Sequence, residues 1–312
     1  MTEPDIDCRE GPATDRPGLG ERSAGPAVSV RAEHFRTIYD PSVGESQPWY
    51  INDHTVICDE SGRWHLFGIT HTEPADPFDE IEFAHASADD PNGPWTKHRS
   101  ALVVDRDYGE THLWAPYVIH ADGRYHMFYA GGGDDRTAAL ICVATSDDLF
   151  EWTREPTGPV FRDGYDARDP MVAWIDDRWV MYYAATSSPT GGNYVVAYRT
   201  SNDLRTWSER RIAFTDPTSG TEAGNTESPF VLCHNGSWYL FIGPRPDYLG
   251  TDVFRSDDPF HFRIGDCVGH IAAHAAEVID DGDLWITSCG WGQGGVSLAA
   301  LEIGRTPPET AP

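Results

Sequence analysis

Three carboxylates, Asp53, Asp169 and Glu227, head similar stretches of sequence: DHTVICDESGRWHLF, DPMVAWIDDRWVMYY and ESPFVLCHNGSWYLF. Two more stretches follow the same plan, WAPYVIHADGRYHMFY from Trp114 and HAAEVIDDGDLWIT from His274. A repeat that folds the heads to one place gathers the acids into a ring. Cleavage of a glycosidic bond needs such a set: one carboxylic acid to protonate the leaving oxygen, and one carboxylate on the opposite face of the sugar. The second either attacks the anomeric carbon or activates a water. Crowded acids are costly in a confined space, so their convergence needs a reason. Crowding also raises the pKa of the least solvated member, as a general acid at neutral pH requires. A single head carboxylate is more often a turn or cap residue; three at equivalent repeat positions reverse those odds.

Each stretch reads as two β-strands: a polar head, an apolar strand, an acidic or glycine-containing turn, then an aromatic strand. From head to second-strand aromatic the offsets are 11, 11, 10, 11 and 11, and the heads lie 61, 55, 58 and 47 residues apart. A second phrase recurs as SADDPNGPW, SDDLFEW, SNDLRTW and SDDPFHF, a turn feeding an outer strand. Five such copies, each with room for about four strands, predict an all-β chain. It is a single five-bladed β-propeller with four-stranded blades around a central channel. The innermost strand of each blade lines the channel, so the heads converge at one mouth. The DESG, ADG, IDDR, HNG and DDG segments are ordinary hairpin chemistry. Trp64, Tyr125, Trp179, Trp238 and Trp285 are expected in the core between blades.

The 312 residues carry 23 Lys or Arg against 50 Asp or Glu, a net charge of −27. That excess argues against binding nucleic-acid backbone or an anionic membrane, and no run approaches 18 apolar residues. Hydrophobic content of 39% with 12% aromatics excludes global disorder. Residues 1–28 read as a disordered or surface-draped arm, 29–305 as the propeller, and 306–312 as a frayed tail. The arm has no apolar stretch of the secretory kind, so a cytoplasmic location is expected. Cys58, Cys142 and Cys233 end apolar runs, which suits buried free thiols better than a disulfide ladder or a zinc site.

At these residues the chain resembles the five-bladed glycoside hydrolases of families 32, 43 and 68, over about residues 34–303. Trp49-Tyr50-Ile51-Asn52-Asp53 is similar to the family 32 opening, Trp114-Ala115-Pro116 to the WAP of family 43, and Arg168-Asp169-Pro170 to the RDP of families 32 and 68. Glu227 stands where those families carry their acid, and His274 where family 43 has a fifth-blade histidine. The resemblance implies that Glu227 is the general acid, Asp53 the nucleophile or base, and Asp169 the fixed carboxylate gripping sugar hydroxyls. Trp49, Asn52, His54, Trp114, Arg168 and His274 are then the expected substrate-binding residues, with Trp49 and Trp114 stacking on sugar. Arg168 either orients Asp169 or holds a substrate oxygen. No cofactor or metal ligand set is expected, although His54 and His274 flank the axis, where a central water or cation would sit near His274. The sequence departs from family 32 in His54, where Pro-Asn-Gly is usual after the aspartate, and in Ser228, which replaces the cysteine after the acid. No stretch resembles the family 32 C-terminal β-sandwich.

The expected partner is a small-molecule or oligosaccharide substrate, a furanoside or pyranoside cleaved by a three-carboxylate mechanism, with retention or inversion left open. Two alternatives stand beside it. One is a biosynthetic tailoring enzyme using the same acids on a non-carbohydrate or glycosylated metabolite. The other is a non-catalytic sugar-binding propeller, against which the clustered negative charge argues.

Overall fold

The computed structural model describes residues 28–132, 140–163, 166–188, 190–216 and 225–305. Five antiparallel sheets form the blades of a β-propeller. Their innermost strands are Trp49–Cys58, His112–Ala121, Arg168–Ile175, Glu227–His234 and Val278–Asp280. In blades 1, 2 and 5 the outer strand is split into two short segments. The ring closes non-covalently: Val28–Ala32 and Arg36–Tyr39 both pair with Val296–Arg305, completing blade 5 from the other end of the chain. The proposed arm before residue 28 and the tail after 305 lie outside the described residues.

The apolar residues of the repeats form four clusters between blades, one of them centred on Val231, Phe241 and Phe254 of blade 4. Tyr125, Trp179 and Trp238 are buried there, while Trp64 and Trp285 are half-buried. In the recurring acidic phrase the side chain caps its own turn. Asp148 accepts from the backbone N–H of Phe150 and Glu151, Asp203 from Arg205 and Thr206, and Asp258 from Phe260. Cys58, Cys142 and Cys289 are free thiols, but Cys233 is disulfide-bonded, so the reading of the strand-end cysteines as thiols fails at that position.

The heads are not all equivalent. In the first four inner strands the ladder slips at one place, between Asn52 and His54, Trp114 and Tyr117, Arg168 and Met171, and Glu227 and Phe230. A β-bulge of this kind re-aims side chains beside it. One residue per blade there has positive φ: Asp53 at 29°, Ala115 at 47°, Asp169 at 57°, Ser228 at 46° and, in blade 5, Ala275 at 47°. In blades 1 to 4 the fifth residue after this one pairs with the second-strand aromatic (Cys58 with Trp64, His120 with Tyr125, Trp174 with Trp179, Cys233 with Trp238). The structural equivalents of Asp53 and Asp169 are thus Ala115, Ser228 and Ala275. Glu227 corresponds to Asn52, Trp114, Arg168 and His274, one position earlier. The longer first hairpin turn, residues 59–63 against 122–123 or 235–236, masked the slip by restoring the offset of 11. Three bulges are followed by proline, at 116, 170 and 229, whose missing N–H suits a point where the ladder skips a bond.

Candidate active site

The bulge residues and their successors line the throat of the channel: Asp53 and His54, then residues 115–117, 169–171, 228–230 and 275–277. The throat encloses a cavity of about 30 Å3, room for about two waters at roughly 10–15 Å3 each but not for a sugar. A substrate must therefore reach the acids from the mouth.

Two residues tie the three acids together. Ser228 bridges two of them: its hydroxyl donates to Asp53 Oδ1, and its backbone N–H donates to Asp169 Oδ2 at 3.0 Å. Arg168 engages the third, Glu227, in a close ion pair through Nη2. Its Nη1 lies 2.9 Å from Asp166, its Nε 3.8 Å from Asp169, and its guanidinium over the Tyr194 ring. Strict strand alternation would have sent Arg168 between blades. The bulge after it turns the side chain into the site, where it is 8% exposed and ion-paired with Asp166 and Glu227.

The charges are uneven. Shielding from solvent raises the Asp53 carboxyl; His274, the Ser228 hydroxyl and Arg168 oppose the rise and Glu227 adds to it. Asp169 is pushed well above the usual carboxylate range, chiefly by burial and then by Asp53. The least solvated acid is therefore Asp169, with 6% of its side chain exposed, and not Glu227, at 22%.

The other expected residues divide. His54 is 3% exposed in the throat; its Nδ1 faces Cys289 Sγ at 3.1 Å, its Nε2 has no partner among the described residues, and burial lowers its pKa to about 3. His274 Nδ1 meets the Cys289 carbonyl at 3.0 Å, and its ring stacks on Tyr248. Trp114 stacks on His112, with its indole N–H donating to Pro77 O at 2.9 Å. Asn52 is buried, and its Oδ1 has no partner among the described residues. Trp49 lies apart from the acids: it packs near His71, and the Lys97 ammonium sits 5.7 Å over its ring.

Sequence reasoning missed Ser228 as a site residue, along with Tyr248, Trp291, Glu80 and Glu277. Glu277 faces the throat; desolvation raises its carboxyl well above the usual range against hydrogen bonds from Val56 and Thr55. The available signal for Ser228 was its place in Thr226-Glu227-Ser228-Pro229, directly after a head acid. Glu80, one acid among several in TEPADPFDE, carried none.

Comparison with known proteins follows this geometry. The family model "Glycosyl hydrolases family 32 N-terminal domain" matches residues 45–232. An arabinan endo-1,5-α-L-arabinosidase A from Aspergillus aculeatus is 34% identical over 226 residues, 70% of this chain and 65% of its own. A probable arabinan endo-1,5-α-L-arabinosidase A from Aspergillus niger is 29% identical over 194 residues, 59% of this chain and 58% of its own. The chain thus spans under two thirds of the length of these relatives. Among solved structures, a family 43 β-xylosidase/α-arabinofuranosidase from a compost microbial metagenome shares the fold with a TM-score of 0.65. It is 16% identical, and the match covers 90% of this chain and 97% of that one. An endo-arabinase from Bacteroides thetaiotaomicron gives a TM-score of 0.61 at 14% identity, over 84% and 96%.

Proposed function

The chain belongs to the family 32 N-terminal-domain glycosyl hydrolases, and from that premise we propose that it hydrolyses the glycosidic bond of a small arabinofuranoside. The observation that carries the reading is the linkage of Asp53, Asp169 and Glu227 through Ser228 and Arg168 at the mouth of a narrow throat. The names of the Aspergillus relatives support the choice of sugar.

In this reading Glu227 delivers a proton to the leaving oxygen as the bond to the anomeric carbon breaks. Asp53, on the other face, attacks that carbon or takes a proton from the water that does, and the water's hydroxyl ends on the sugar. Glu227 suits the acid role because 22% of its side chain is exposed against 6% for Asp169, so water can return its proton after each cycle. Burial raises the Asp169 carboxyl and so favours its protonated form, which can both donate to and accept from a sugar hydroxyl. A throat closed to sugars makes a pocket and favours release of terminal residues.

The test is a panel of 4-nitrophenyl glycosides (arabinofuranoside, xyloside, fructoside, galactoside) with Asp53→Asn and Glu227→Gln beside the parent. Arabinofuranoside turnover is expected, falling about 1,000-fold or more in each variant. Asp53 carries a raised pKa, so the folded state holds that proton more tightly than the unfolded chain, and stability is lost as pH rises through the folded value. Asn removes that cost, so the melting temperature at pH 7 should hold or rise. Loss of folding, with normal kinetics in what stays folded, would make the acids structural. Sugar binding without turnover would make the protein a sugar-binding propeller.

A further inference from the structure

Beside the acids a tier of three rings rises toward solvent. His274, whose charge acts on Asp53, stacks on Tyr248 with centroids 4.0 Å apart, and Tyr248 stacks on Trp291 at 5.9 Å and 13°. Trp291 is the outermost ring and is 37% exposed. An exposed indole ordinarily samples several rotamers; this one is held at both ends. Its backbone N–H donates to the Tyr248 hydroxyl at 2.9 Å, and its Nε1–H donates to Glu80 Oε1 at 2.9 Å. The same Glu80 oxygen accepts from the Tyr50 hydroxyl at 2.9 Å.

The chain around the tier is fixed as firmly. Gly290 N–H donates to Ile51 O and Ile51 N–H to Gly294 O, which staples the loop to the inner strand of blade 1. Gly292 N–H donates to Glu73. At Gly290, with φ of 147°, a Cβ would fall within 3 Å of Gln293, Tyr248 and His274 at once, so the turn beneath Trp291 has no room for a side chain.

Glu80 is what folding alone does not explain. It is 1% exposed, and burial pushes its carboxyl up to about 8, against the hydrogen bonds that Trp291 and Tyr50 donate to it. A buried acid is a costly way to hold a surface tryptophan, and the cost is reasonable where a rigid apolar face must stand ready for a ligand. A furanose or pyranose presents one face of C–H groups, and a fixed indole presents the matching flat surface.

We propose that Trp291 is the stacking wall of the sugar-binding site and that Glu80 is the positioning residue that orients it. The proposal rests on the glycosidase reading above. Trp291→Ala should raise KM for the 4-nitrophenyl arabinofuranoside by about tenfold or more, with kcat falling by less than KM rises, the pattern of lost binding common to ground and transition states. Glu80→Ala should reproduce that split, and Glu80→Gln, which keeps an acceptor for Trp291 and Tyr50, should recover most of the loss. Trp291→Phe keeps a ring without the N–H and serves if the alanine variants do not fold. In the Asp53→Asn background, adding arabinotriose should change tryptophan emission, and Trp291→Phe should abolish the change. A wild-type KM in Trp291→Ala, or an emission change that survives Trp291→Phe, overturns the proposal while turnover by the parent leaves the glycosidase reading standing. A parent that neither cleaves nor binds any sugar of the panel overturns both.

Discussion

Arg168 serves two carboxylates from one buried guanidinium, Asp166 through Nη1 and Glu227 through Nη2. A lysine keeps the charge but reaches only one of them. Arg168→Lys should therefore lower kcat/KM by about tenfold or more and cost about 1–3 kcal/mol of stability, as one charged hydrogen bond is left unmade. Kinetics and melting curves on the same preparation separate the two effects. Ser228 works through pH. Its hydroxyl opposes the upward push on Asp53, so in Ser228→Ala that push meets less resistance. If Asp53 acts in its ionised form, as proposed, the acid limb of kcat/KM should then move to higher pH, while a purely structural loss would lower the profile without displacing it. Neither role was legible in the sequence beyond the RDP and TESP spellings. Which partner Arg168 takes depends on a bulge that no residue type announces, since Ala115 and Ala275 adopt the same backbone conformation as Asp53.

At the scale of the element, the repeat itself could be read directly: aromatic second strands and acidic turns recur where the sheets place them, because hairpin chemistry and apolar alternation are local. The one-residue slip could not be read, because it is compensated within blade 1 by a longer turn. A second element-level feature is the column of His65, His85 and His98 in blade 1, on the second strand, on the third strand and just after the outer segment Thr96–Lys97. His65 Nδ1 lies 2.9 Å from His85 Nε2, the His85 and His98 centroids are 4.7 Å apart, and Phe67 and Phe150 enclose His85. Burial lowers His85 to about 3, helped by its two histidine neighbours and opposed by Asp148. His65 and His98 are lowered too, chiefly by burial, with Asp59 raising the first and Arg63 lowering both. Below about pH 6.5 the unfolded chain takes up protons that the native column refuses, so stability falls as pH falls. Between pH 7.5 and 5 the loss attributable to His85 should be about 2 kcal/mol at most, at roughly 1.4 kcal/mol per unit. Melting curves of His85→Gln across that range should be flatter than those of the parent, with His54 still contributing in the same direction.

At the scale of the molecule, closure depends on a short strand far from its partner in sequence. Val28–Ala32 covers the edge of Val296–Arg305, and Val30, 2% exposed, lies against blade 4 so closely that a Cβ on Gly269 would stand 2.5 Å from its carbonyl oxygen. Removing residues 1–33 uncovers a sheet edge and a core position together, so melting should fall by several degrees, at about 2–4 °C per kcal/mol for a domain of this size, and the truncated protein should self-associate. Gly269→Ala tests the same seam from blade 4 and should destabilise without exposing the edge. The number of blades was legible from spacing; the strand that closes them was not, because Val28–Ala32 does not belong to any repeat.

The five left-handed positions have an evolutionary consequence. They act as addresses around one throat, and whatever side chain occupies an address is delivered beside the others by backbone geometry alone. Three addresses carry Asp53, Asp169 and Ser228; two carry only Ala115 and Ala275. Asparagine and aspartate tolerate this backbone conformation better than alanine does, so new chemistry can be installed there without added backbone strain, in keeping with the way sites are grafted onto folds. Ala115→Asn should leave melting unchanged or slightly raised while altering which sugars of the panel are accepted. Such a vacancy lets one ring of blades change its substrate by a single codon.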